Sequence, residues 1–231
     1  MRTLICLVLV VFLFNTTGAE SAHDKGAEAY EQGDYATALR EFTLLAEQGH
    51  AGAQAALALM YDEGRGVPQD HLKAGQWYTL AAEQGETQAQ FKLARMYENG
   101  KGVLQDYKTA VKWYTLAAEQ GLAEAQNNLG AMYNNGKGVP KNHQTGTKWI
   151  RLAAEQGEAQ AQLTLGGMYY LGWGVPKDDV YAYMWSHLAA ANGMEAAGHN
   201  RDRLAAKITP EQIAEAQRLS RECMKKNYKG C

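Results

Sequence analysis

Six histidines, three serines and three cysteines are the residues through which this chain could do metal or nucleophilic chemistry. Metal-assisted hydrolysis needs two imidazoles on one face, as H-E-x-x-H supplies. His23, His50, His71, His143, His187 and His199 are scattered without that spacing. A serine acyl-enzyme would set a lysine three residues after its nucleophile. Ser21, Ser186 and Ser220 are followed at that distance by Asp24, Ala189 and Cys223. No Walker loop and no C-x-x-C occurs. The chain is therefore read as a non-enzyme, with no catalytic residues, no metal and no cofactor. Its formal charge of −2 and its pI of about 6.3 leave no basic patch for nucleic acid.

The cysteines point to a compartment. Arg2 precedes an apolar run of 11 residues, "LICLVLVVFLF", and then "NTTGA" puts Thr17 and Ala19 at the −3 and −1 positions of a cleavage site. This is the pattern of a secretory leader, over residues 1–19. The run is shorter than the ~20 residues that span a bilayer, and Cys6 lies inside the leader, not at its end as a lipoprotein needs. The expected location is periplasmic or secreted, with no membrane span after cleavage. Cys223 and Cys231 then remain, and an even pair in an exported chain is read as a disulfide over "MKKNYKG". The alternative is two separate thiols.

The element that must position everything else is a repeat. "MYDEGRGVPQD" from Met60 recurs as "MYENGKGVLQD", "MYNNGKGVPKN" and "MYYLGWGVPKD", and Gly49, Gly85, Gly121, Gly157 and Gly193 stand 36 residues apart. A fixed period of this size predicts stacked supersecondary units. "AGAQAALALMYDEG" spaces Ala53, Leu57, Met60 and Tyr61 as a helix does, and "DHLKAGQWYTLAAEQG" does the same with Ala74, Trp77, Ala81 and Ala82. Each unit is thus helix A, loop, helix B. Gly64 should end helix A in a left-handed conformation. Asp70, Asp106, Asn142 and Asp178 should cap helix B. Ala53, Leu57 and Trp77, with their copies at 36-residue steps, are expected in the core.

"GxGVPxD" after "MY", then "WYxLAAEQGxAxAQ", resembles the Sel-1-like repeat, a relative of the tetratricopeptide repeat. The resemblance implies an all-α fold, a right-handed α–α superhelix of helix–turn–helix repeats. The expected organisation is a tetratricopeptide-like hairpin cap at 20–49, repeats at 50–85, 86–121, 122–157 and 158–193, and capping helices at 194–231. Thr209, Pro210 and Gln212 carry the signature of a capped final helix. Some cysteine-rich members of the family hydrolyse β-lactams, but they bridge helices within each repeat, and these repeats contain no cysteine.

The resemblance further implies a scaffold that binds an envelope or host protein along a concave surface lined by helix A. Positions that differ between copies are the candidate contacts, because packing does not dictate them. They yield Lys92, Arg95, Asn99, Asn128 and Asn135, a donor-rich strip. Arg65, Lys101 and Lys137 hold the slot between the two loop glycines, whereas the fourth copy has Trp173 there, near Tyr170 and Leu171. Tyr170 and Trp173 are candidate contact residues; the alternative for Trp173 is to fold back onto the C-terminal helix and seal the array. The second reading of the strip is peptidoglycan or another glycan, which exposed aromatics and asparagines would suit.

Overall fold

The computed structural model describes residues 23–231. Residues 1–19, read above as a leader and including Cys6, lie outside them, as do Glu20 and Ser21. Within them the chain is all-helical, and the helices come as consecutive pairs. The first is helical over 23–31 (α1). It is followed by α2 (Tyr35–Glu47), α3 (Ala51–Glu63), α4 (His71–Glu83), α5 (Thr87–Asn99), α6 (Tyr107–Glu119), α7 (Ala123–Asn135), α8 (His143–Ala154), α9 (Ala159–Leu171), α10 (Asp179–Ala191), α11 (Glu195–Ala205) and α12 (Pro210–Lys225). In the repeats α3, α5, α7 and α9 are helix A, and α4, α6, α8 and α10 are helix B. Two compact units are present, one running through Gln105 and the other Asp106–Cys231. In each, a helix packs chiefly on those before and after it in the chain, and in the second unit α12 also returns onto α10.

The caps follow from residue type. Asp70 accepts from the backbone N–H of Leu72 and Lys73, Asp106 from Lys108, Asn142 from Thr145, and Asp178 from Val180 and Tyr181. These bonds satisfy amide donors that a helix start leaves without partners. Gly64, Gly100, Gly136 and Gly172 end helix A with φ between 68° and 72°. Thr209 and Gln212 form the reciprocal capping box, with Pro210 at the first turn of α12.

The second loop glycine has a steric reason. A Cβ on Gly102 would overlap the carbonyl oxygen of His71, one on Gly138 that of Tyr107, and one on Gly174 that of His143. The loop after helix A lies directly on the first residue of the preceding helix B, so close that no side chain fits.

The core is built from small and medium residues. Ala53, Ala89, Ala125 and Ala161 are fully buried, as are Leu57, Leu93, Leu129 and Leu165. The tryptophans depart from the sequence expectation. Trp185 is fully buried, but Trp77, Trp113 and Trp149 are only half-buried. The buried slot of helix B is one residue later, at Tyr78, Tyr114, Ile150 and Ser186. The stripe that packs is therefore Ala74, Tyr78, Ala81 and Ala82, the wider a, e, h, i spacing of a helix wedged between two neighbours. Trp185 alone is sealed, because it belongs to a cluster closed by Leu204 of α11 and by Ala216 and Cys223 of α12.

Each helix A also buries a glutamine. Gln54, Gln90, Gln126 and Gln162 donate from Nε2 to the carbonyls of Ala46, Ala82, Ala118 and Ala154, at 3.1 to 3.2 Å. Those carbonyls lie in the last turn of the preceding helix, where each also accepts the backbone N–H of the turn glycine, Gly49, Gly85, Gly121 or Gly157, at 3.0 Å. The amide oxygen is satisfied from the other side: Gln84 donates to Gln54, Gln156 to Gln126, and Asn192 to Gln162, at 2.7 to 2.9 Å.

Cys223 and Cys231 are bonded, with Cα atoms 5.5 Å apart. The bridge closes a loop in which Asn227 and Tyr228 both take positive φ. Tyr228 donates its O–H to Asn192 Oδ1 at 3.0 Å, so the tail fastens onto the end of α10.

Two substitutions test this packing by urea denaturation. Gly138→Ala meets both a left-handed backbone and the Tyr107 carbonyl, and should lose at least ~2 kcal/mol. Gly121→Ala, also at positive φ but in open space, should lose only about 1 kcal/mol. Equal losses would remove the steric reason for the second glycine. Gln126→Leu removes the bond to the Ala118 carbonyl and the bond from Gln156 and should lose about 1–2 kcal/mol, whereas exposed Gln144→Leu should change stability by less than ~0.5 kcal/mol.

Candidate functional site

The sequence-derived candidates fall in several places. In the first unit, Lys92, Arg95 and Asn99 lie along one face of α5, because their spacing of three and four residues follows the helical turn. With Lys101, Met96 and Asp62 they line a small depression of about 70 Å³. Asp62 Oδ1 is engaged by Lys101 Nζ at 3.0 Å and by His71 Nδ1 at 3.0 Å. The Arg95 guanidinium lies 5.8 Å from the Phe91 ring centroid, and Asn99 donates back to the Arg95 carbonyl at 2.9 Å. Lys92, Arg95 and Lys101 thus border a hollow that also holds the Asp62 carboxylate.

In the second unit the candidates separate. Asn128 is half-buried and donates to the Tyr114 hydroxyl at 3.1 Å, which makes it a packing residue. Asn135 is exposed at the last turn of α7. Tyr170, on α9, accepts a hydrogen bond from Lys207 Nζ at 2.6 Å. That bond, together with the lysine's charge, holds the Tyr170 hydroxyl below the usual tyrosine pKa.

Trp173 is 46% exposed. Its ring stacks on His143 with centroids 5.0 Å apart and planes 22° apart, and Lys141 Nζ lies 5.9 Å from it. The partners come from α8 and the residues before it, not from the C-terminal helix. The same relation recurs at other loop tips. Arg65 lies over Tyr35 and Tyr30, Lys137 lies over Tyr107, and Lys101 shares Asp62 with His71. Arg65, Lys137 and Trp173 thus lie over the first residue of the preceding helix, whereas Lys101 is joined to His71 through Asp62. Over Tyr35 and Tyr107 the tip is a cation; over His143 it is the aromatic Trp173; with His71 it is Lys101, and a carboxylate stands between the two.

Tyr170 belongs to a larger cleft of about 300 Å³ formed by α9, α10 and α11. Its floor is apolar, made by Gly166, Gly167 and Leu171 of α9 and by Leu204 of α11. Its polar rim is Tyr170, with Asn200 and Arg203 of α11 and Lys207 of the turn that follows. These α11 residues were not among the sequence candidates, because they lie after the last repeat, where comparison between copies ends. A signal was present all the same: Asn200, Arg203, Leu204 and Lys207 follow i, i+3, i+4, i+7 spacing, and two adjacent glycines interrupt α9. The arrangement offers cations and a phenol beside an apolar pocket. It suits binding, and Ser186, which also lines it, donates its hydroxyl to the Ala182 carbonyl at 2.8 Å.

Comparison with known proteins places the fold. The Sel1 repeat family matches residues 51–86, 87–122, 123–158 and 159–194. No curated protein matches the chain. A Sel1 repeat protein from Oxalobacter formigenes is 32% identical with a TM-score of 0.72, over 85% of this chain and 84% of that one. The protective antigen c5321 of uropathogenic Escherichia coli strains is 33% identical with a TM-score of 0.57; the match covers 93% of this chain but only 55% of that one. A Sel1 repeat structure from Klebsiella pneumoniae shares the fold at 22% identity and a TM-score of 0.53, over 81% of this chain and 93% of that one. Four consecutive matches over more than half its length make this chain a member of the Sel1 repeat family, whose members are generally helical-repeat scaffolds for protein interaction.

Proposed function

We propose that this chain is an exported scaffold that binds another protein through the helix-A surfaces of its repeats and carries out no catalysis itself. The observation that carries the reading is where identity and variation fall. Positions kept through all four copies, such as Ala53, Leu57 and Gln54, are buried. Positions that change between copies line the two hollows, at Lys92, Arg95 and Asn99 on α5 and at Gly167, Tyr170 and Leu171 on α9. Packing accounts for the first set and leaves the second free to serve a partner. The partner is an envelope or host protein.

Peptidoglycan draws less support. Sugar stacking needs an open aromatic face, and the Tyr170 ring already has Lys177 and Lys207 at 5.5 and 5.0 Å from its centroid. One face of Trp173 is taken by His143. No helix among the described residues is long and apolar enough to cross a membrane. The bonded pair Cys223–Cys231 supports an oxidising compartment.

Two measurements check the reading. If the leader is cleaved, the N-terminal residue of the chain recovered from an expressing bacterium's periplasm or medium should be Glu20; an intact Met1 in the cytoplasm would refute export. Residues 20–231 should then be cross-linked in envelope extract beside two variants of equal stability, Lys92→Ala/Arg95→Ala and Tyr170→Ala/Arg203→Ala. A protein captured by the parent and lost by either variant supports the scaffold and locates its surface. Equal recovery with all three would mean that neither hollow binds, and turnover of a chromogenic β-lactam by the parent would overturn the non-catalytic reading.

A further inference from the structure

The α9–α11 cleft is open because of one residue that packing does not require. Gly166 is packed tightly, since a Cβ there would press on Ser186 Oγ and the Ala182 carbonyl. Gly167 is different: nothing lies within 4 Å of where its Cβ would stand. The other three copies place Leu59, Arg95 and Ala131 at this position. A mid-helix glycine is unfavourable relative to alanine, so the fourth copy keeps the space empty against its own helical preference. Leu171, 52% exposed, and Leu204 provide the apolar walls.

The rim carries uncompensated positive charge. Among the described residues neither Arg203 nor Lys207 has a carboxylate within ion-pairing distance. Lys177, a third cation at Tyr170, is held by Asp179 at 3.9 Å. The Tyr170 oxygen accepts from Lys207, which leaves its own O–H to donate. An entering carboxylate would meet a guanidinium, an ammonium and a phenol O–H, each a strong donor to an anion.

We propose that this cleft takes a linear segment of the partner protein in which an aliphatic side chain stands next to a carboxylate. The aliphatic group fills the space over Gly167, between Leu171 and Leu204, and the carboxylate lies between Arg203 and Lys207. The volume suits one or two side chains, at the lower end of ligand pockets. This inference rests on the protein-binding reading above and adds the chemistry of the segment.

The test uses residues 20–231, immobilised, and decapeptide pools with randomised flanks around a fixed central pair. The Leu-Glu pool should be enriched about tenfold over Leu-Gln, Ala-Glu and Leu-Lys pools, the size of one charge-assisted contact. Arg203→Gln and Lys207→Gln should each erase most of the Leu-Glu preference over Leu-Gln. Gly167→Leu fills the cleft without touching any charge, adds a better helix former, and should abolish enrichment while urea stability holds or rises. Enrichment that ignores the glutamate, or that survives Gly167→Leu, overturns the proposal. So does displacement of nothing but free aliphatic acids, tested with hexanoate, or binding only to vesicles of anionic phosphatidylglycerol. Loss of the captured partner in the Lys92→Ala/Arg95→Ala variant alone, with no peptide preference, would sink this inference and leave the scaffold reading standing.

Discussion

Gln54, Gln90, Gln126 and Gln162 each carry a primary amide into an interior made mainly of alanine, leucine, methionine and aromatic side chains. A buried amide left without partners costs about 1–3 kcal/mol, so each must find both a donor and an acceptor in a fixed place. The acceptor is a carbonyl in the last turn of the preceding helix, which takes one N–H from the turn glycine that follows and has a second lone pair open to the glutamine. The donor to Gln54, Gln126 and Gln162 is the side chain that ends the next helix B, Gln84, Gln156 or Asn192. One residue thus fixes three helix ends. Apolar packing would tolerate a helix that slid by a fraction of a turn; a buried amide with two obligatory partners would not. The 36-residue period is the spacing at which this bond pattern can recur.

The loops obey a second constraint, set by contact instead of hydrogen bonding. The chain crosses the start of the preceding helix B so closely that a β-carbon at the second glycine would strike a carbonyl oxygen. Once the backbone is held there, the residue between the two glycines has little choice of neighbour. It lies over position one of that helix at Tyr35, Tyr107 and His143, and in the remaining copy it is tied to His71 through Asp62. Trp173 is odd only when read along the loops. Paired with His143 it completes the same contact with the aromatic and basic partners exchanged.

This explains which parts of the fold were legible beforehand. Caps, left-handed glycines and the alanine–leucine core follow from local chemistry repeated four times, and the structure contains them where the residue types require. The tryptophans misled because periodicity finds a helix face without finding which edge of that face is deepest. Trp77, Trp113 and Trp149 lie on the shoulder of the stripe, and Tyr78, Tyr114 and Ile150 lie in its trough. The glutamines were hidden by polarity, which ordinarily marks an outer surface. Asn128 shows the converse, a variable polar residue that turned inward to meet Tyr114.

The α9–α11 cleft could not emerge from comparing copies, because half of it comes from a segment that has no copy. In a stacked array each repeat offers its neighbour the same surface, and the last one must meet something else. Here the something else is α11 and α12. They bury Trp185, join Leu204 and Cys223 to its cluster, and leave the face of α9 covered only in part. Gly167 then decides whether the uncovered part is wall or opening. A leucine there, as in the first copy at Leu59, would continue the apolar surface toward Leu204. With glycine there the cations of the closing segment border an empty apolar floor. The end of the array is therefore the place where this fold combines charge, depth and freedom from the repeat, and a surface that must recognise one partner among many needs all three.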